Sequence, residues 1–219
     1  MRPLALWRHE IRRAGRAPVL GPPLLAGALV VITWADHPLR NLFVFLELGL
    51  PLTAGLGAAA LAGRDPAAEL QFTMPTAYRS TLMRRLAVIA GWTALVAVAI
   101  SAVLLVADGW PGTRGPVAGQ LTWLAPGLWL GAFGLLAGAA LRIPAAASGI
   151  VAVLWLVEQL FGGAFQQHFV MKQLFLFATT QGAAPEEWAV NRLTLIGTAV
   201  VLGAGGWLLS GRSYQEESE

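Results

Sequence analysis

Six apolar runs dominate this chain, at residues 18–35, 41–63, 86–107, 117–141, 143–161 and 190–209. Each has the length to cross a hydrocarbon core, which is about 30 Å thick and takes roughly 20 residues at 1.5 Å per residue. Lipid offers no partner to a backbone N–H or C=O, so uninterrupted apolar runs of this length fold as helices that satisfy their own backbone. The expectation is an all-α, polytopic membrane protein with six transmembrane helices.

Composition agrees: of 219 residues, 56% are hydrophobic and 12% charged, and the mean hydropathy is +0.62. A pI near 10.2 is also the mark of nucleic-acid binders, but the fifteen basic residues lie at the ends of apolar runs rather than in one patch. They read as topology signals, and nucleic acid is not an expected partner. Without cysteine, disulfides, thiolate metal sites and cysteine nucleophiles are excluded.

The basic residues also orient the chain. Arg2, Arg8, Arg12, Arg13, Arg16, Arg64, Arg79, Arg84, Arg85, Arg142 and Arg212 fall on one side of the six-span arrangement, against Arg40, Arg114, Lys172 and Arg192 on the other. Basic loops stay inside, so both termini are expected to be cytoplasmic. Trp34, Trp110 and Trp188 then mark the outer boundary, Trp7 and Trp207 the inner one.

Between the spans, three segments carry shape. Residues 1–17 alternate apolar Leu4, Leu6, Trp7 and Ile11 with arginines at helical spacing, which predicts an interfacial amphipathic helix. The fourth and fifth runs are separated only by Arg142, Ile143 and Pro144, a tight turn, because a charge at mid-span costs about 2.5–3.5 kcal/mol and proline suits a first helical turn. Residues 162–189 contain an apolar stretch that is too polar to span, with Gln166, Gln167, His168, Lys172 and Gln173; a short re-entrant hairpin on the outer side is expected.

Catalysis finds little footing. The only lysine, Lys172, lies in VMKQ, so the chain has no P-loop. The histidines His9, His37 and His168 all lie outside the spans, which leaves Ser101 and Ser148 without a base for intramembrane proteolysis. They are also too scattered to hold a metal. Glu47 and Glu158 are the carboxylates inside spans, by default functional candidates. They either line a substrate pathway or pair with Arg40, Arg192 or Lys172. Gly127, Gly131, Gly134 and Gly138 form two small-xxx-small pairs in the fourth span, a pattern for close helix packing within the chain or with another.

The stretch DPAAELQFTMPTAYRSTLMRRL, Asp65 to Leu86, is the long polar interruption on the arginine-rich side. Its carboxylate Glu69, proline Pro75 six residues on, and Arg85 ten beyond that resemble the coupling loop of ABC-2 type transporter permeases. The glycine-threonine pair frequent before the carboxylate in that family is replaced here by Pro66 to Ala68. The resemblance covers nearly the whole chain: a basic amphipathic leading helix, six spans, both ends inside, and an outer hairpin between spans five and six.

That resemblance implies a single transmembrane domain over 1–219, with a cytoplasmic coupling loop at 64–85. It implies a non-catalytic subunit of an exporter in the cytoplasmic membrane, partnered by a second permease copy or a related permease. Two separate cytoplasmic ATPases would hold ATP and Mg, leaving this chain without a cofactor. Glu69, Leu70, Phe72, Met74, Pro75 and Arg79 would form the ATPase-docking surface, and the cargo would be hydrophobic or amphipathic. Two rivals from other classes remain: a secondary transporter and a non-transporting membrane scaffold.

Overall fold

A computed structural model describes residues 27–28, 38–63, 78–110, 115–182 and 185–212. Among them there are helices and turns and no strand. In chain order they are α1 (Pro38–Val44), a π-helical turn (Phe45–Gly49), α2 (Leu50–Gly63), α3 (Tyr78–Val106), α4 (Pro116–Gly119), α5 (Leu121–Leu141), α6 (Pro144–Leu160), α7 (Gly162–Gln167), α8 (Phe169–Leu174), a 3₁₀ turn (Pro185–Glu187) and α9 (Trp188–Arg212).

Among the described residues four helical segments are long and apolar enough to cross a membrane: Leu39–Gly63, Ser80–Val106, Val117–Leu141 and Trp188–Ser210. At 1.5 Å per residue they measure roughly 34 to 40 Å. The fifth expected span is the 17-residue helix α6, about 25 Å long. The first expected span falls outside the described residues except for Gly27 and Ala28, which are helical and exposed. The expected interfacial helix at 1–17 also lies outside them. So does most of the expected coupling loop, including Glu69, Leu70, Phe72, Met74 and Pro75; of Arg79, only the helical backbone is described.

Helix α3 begins at Tyr78, eight residues before the apolar run that marked it. Arginine, leucine and methionine are good helix formers, so the helix continues past its apolar part, with Arg84 exposed and Arg85 buried. The turn between α5 and α6 forms as expected. Arg142 adopts a left-handed conformation (φ 55°) and its N–H closes on the Gly138 carbonyl. Ile143 is extended and Pro144 opens α6, where its missing N–H costs no helical bond.

Helix α5 is the centre of the bundle, packed against α2, α9 and α6. Small residues permit the approach. A Cβ on Gly134 would overlap the Gly55 carbonyl oxygen, and one on Gly138 would lie 2.7 Å from the Ala59 oxygen. Gly134 and Gly138 therefore make a backbone-to-backbone seam within this chain, as small-xxx-small pairs do in lipid. Gly127 and Gly131 are different: nothing lies within 4 Å of where their Cβ atoms would be. Hydrogen bonds add cross-links, Trp129 Nε1 to Thr198 Oγ1 at 3.1 Å between α5 and α9, and Ser101 Oγ on α3 to Gln120 Oε1 at 3.2 Å, an oxygen that also accepts the Trp123 indole N–H at 2.7 Å.

Candidate functional site

The site begins with a proline. Pro51 has no N–H to donate and its ring crowds the carbonyl four residues back, that of Glu47. The helix widens just before it into the π turn Phe45–Gly49, closed by the Leu50 N–H on the Phe45 carbonyl. Gly49 makes the wide turn possible, because a Cβ there would overlap the Phe45 ring. Such single wide turns are often found at functional positions. Here the turn holds Glu47, which is fully buried.

Glu47 grips the far side of the hairpin. After α7 and α8 the chain turns inward through Phe175, Leu176, Phe177 and Ala178, all buried, with Phe175 and Phe177 edge-to-face at 5.8 Å and Phe177 edge-to-face with Trp155 at 5.8 Å. A non-helical segment in an apolar interior must find partners for its backbone. Side chains from three helices supply them. The Glu47 carboxylate accepts the Thr179 N–H at 2.9 Å and the Thr180 N–H at 2.6 Å. Glu158, near the end of α6, accepts the Leu176 N–H at 2.9 Å. Asn191 donates its amide to the carbonyls of Lys172, Gln173 and Phe175 at 2.9–3.1 Å.

Arg192 completes the arrangement. Its guanidinium pairs with Glu47, donates to the Leu176 carbonyl at 2.9 Å and to Thr179 Oγ1 at 2.7 Å, and lies 5.5 Å from the centre of the Trp188 ring. Trp188 also donates to Thr179 Oγ1 at 3.0 Å. Both members of the ion pair are fully buried, so desolvation is offset only because each is paired and further hydrogen-bonded. Nearer solvent, Lys172 bridges to Glu187 at 2.7 Å.

Among the partners the sequence offered for the two carboxylates, Glu47 takes Arg192, and Glu158 takes a backbone amide instead of a cation. Trp188, expected at the outer boundary, is buried. Arg192, Asn191 and Thr179 were not singled out as site residues. The signal for Arg192 was available: it is the one basic residue inside any of the six apolar runs. Asn191 and Thr179 carried none. Chemically the site is a polar clamp built around one buried ion pair, which ties the inward-turning segment to α6, α9 and the π turn before α2. Among the described residues no three histidine, aspartate or glutamate side chains come together as a metal site would require. The chain matches none of the protein-family models, curated proteins or solved structures compared with it.

Proposed function

We propose that this chain is the six-span permease subunit of an ATP-driven exporter of the ABC-2 type. It works with a second permease and two separate cytoplasmic ATPases, has both termini in the cytoplasm, and moves a hydrophobic or amphipathic substrate across the cytoplasmic membrane. The observation that carries the reading is the clamped segment between the fifth and sixth spans. Buried, hydrogen-bonded charge within an apolar bundle is expensive and characteristically marks transport machinery. Glu47 and Glu158 border the pathway as anchors of that segment, and cargo reaches them when it moves. ATP binding draws the coupling loops together, and the spans respond to the extent that nucleotide favours one of their states.

The coupling surface is tested at Phe72. A large aromatic in a cytoplasmic loop fits a groove on the ATPase, and Phe72→Ala is expected to weaken that association by about 2 kcal/mol, near 30-fold, with insertion intact. Glu69→Ala removes a rim charge screened by solvent and should cost less. Co-purification of tagged permease with the ATPase measures both; parental assembly by the Phe72 variant would remove the loop from the mechanism.

Topology is tested separately. A reporter fused after Glu219 should be cytoplasmic, while one inserted after Gly182, an exposed turn residue at φ 67°, should be external. An external C-terminus would refute the six-span arrangement.

A second reading, a secondary transporter, is favoured by the buried Glu47–Arg192 pair beside broken helices, a combination such proteins use at their ion and substrate sites. The two readings part on energy source: nucleotide hydrolysis by a partner, or an ion gradient.

A further inference from the structure

Two successive amides and a guanidinium converge on one point of the clamp. The N–H groups of Thr179 and Thr180 and Nη2 of Arg192 all donate to the Glu47 carboxylate. On the same residue as one of those amides, Thr180 Oγ1 is buried with no hydrogen-bond partner among the described residues. Serial backbone amides beside an arginine are the chemistry of an oxyanion site. The orphaned hydroxyl is a further donor that the Glu47 carboxylate leaves unused.

These donors belong to one body. Arg192 is tied to the inward-turning segment at the Leu176 carbonyl and Thr179 Oγ1, and Asn191, one residue earlier on α9, holds the carbonyls of Lys172, Gln173 and Phe175. Glu47 comes from elsewhere, the π turn before α2. A π turn carries one residue more than an α-turn, so reversion to α-helix would rotate Glu47 by about 100°, the arc of one residue. When the π turn parts from α9, the donors stay in place and Arg192 loses its counter-charge. In an apolar interior that cation needs another anion. A cationic guest is served less well, since Glu47 would meet it with one carboxylate; the neighbouring Leu48 carbonyl already accepts the Trp155 indole N–H at 3.1 Å. Phe175 and Phe177, on the donor-bearing segment, pack with Trp155 into an aromatic wall suited to the apolar part of an amphipathic molecule.

We infer that Thr179, Thr180 and Arg192 form a cradle for the terminal phosphate of an amphipathic cargo, a place that Glu47 fills when no cargo is bound. Phosphate is preferred to carboxylate because its third oxygen reaches the Thr180 hydroxyl. Calling the ligand cargo rests on the transport reading; its binding does not.

The test titrates the full chain, in a non-ionic detergent, with radiolabelled dodecyl phosphate. Glu47→Ala empties the cradle and should bind the probe about tenfold more tightly than the parent, which must first displace its own carboxylate. Glu47→Asp, whose shorter side chain draws the carboxylate back, shows the same direction should the alanine variant not fold. Adding Thr180→Val should lower dodecyl phosphate to the affinity of dodecanoate and leave dodecanoate unchanged, while adding Arg192→Met should abolish both. Dodecyltrimethylammonium binding as tightly as dodecyl phosphate, or anion binding that survives Arg192→Met, would overturn the proposal. So would inorganic phosphate binding as tightly as dodecyl phosphate, since the ligand would then be a free ion. Binding is read on the purified chain with no ATPase present, so its failure leaves the transport reading standing, and failure of the Phe72 experiment leaves the cradle standing.

Discussion

Replacing Arg192 with methionine is expected to destabilise the bundle by about 3–5 kcal/mol, the cost of leaving one member of a buried ion pair behind. Methionine keeps the length and apolar stem, so the loss is electrostatic. Glu47 remains fully buried with only two backbone amides against its charge, while the Leu176 carbonyl and Thr179 Oγ1 lose a donor. Glu47→Gln is expected to cost a comparable amount, because it takes the carboxylate from the buried Arg192 guanidinium. The double variant, with both charges of the pair removed, should be more stable than the sum of the single effects allows, with a coupling of about 0.5–3 kcal/mol. Thermal unfolding of the four proteins in detergent measures it. Strict additivity would mean that Glu47 and Arg192 do not act as a pair.

The second large effect lies in the seam between α5 and α2. Gly134→Leu places a side chain against the Gly55 carbonyl and within 3.1 Å of the Ala59 nitrogen. Both are backbone atoms in a packed helix and cannot step aside as a flexible side chain would. The helices must separate, and a loss of about 3 kcal/mol or more is expected, at the upper end for overpacking. Gly127→Ala is the control on the same helix. Its Cβ meets nothing within 4 Å, so the better helix propensity of alanine should leave stability unchanged or raise it by up to about 1 kcal/mol. Equal losses at the two sites would show that the seam does not carry the packing.

This contrast also measures how far the sequence could be read. The glycine spacing in the fourth span predicts close packing but is identical for both pairs, and only the position of α2 separates Gly134 and Gly138 from Gly127 and Gly131. Long apolar periods were legible from local sequence alone; the run read as the fourth span has the same limits, Val117–Leu141, as one of the described helical segments apolar enough to cross a membrane. The Arg142–Pro144 turn was legible for a local reason too, since charge and proline both resist a helix interior. The clamp was legible only as one alternative, with Arg192 among three cations offered to the two carboxylates, because Glu47 and Arg192 are 145 residues apart and their meeting depends on how the helices stack. The inward turn at Phe175 to Ala178 follows from partners on distant helices. Charge balance would have narrowed the search, since Arg192 is the one cation within an apolar run and Glu47 and Glu158 are the acids.

The central claim is that motion in this bundle is driven by a separate ATPase. Its most direct measurement is reconstitution of the purified chain in vesicles, with and without an ABC ATPase captured on the tagged chain. Nucleotide hydrolysis and efflux of an amphipathic dye would be followed together. The account predicts no hydrolysis by the chain alone, hydrolysis and efflux when both are present, and loss of efflux with Phe72→Ala. Efflux that follows an imposed ion gradient, with no response to ATP or to the ATPase, would contradict it and favour the secondary transporter.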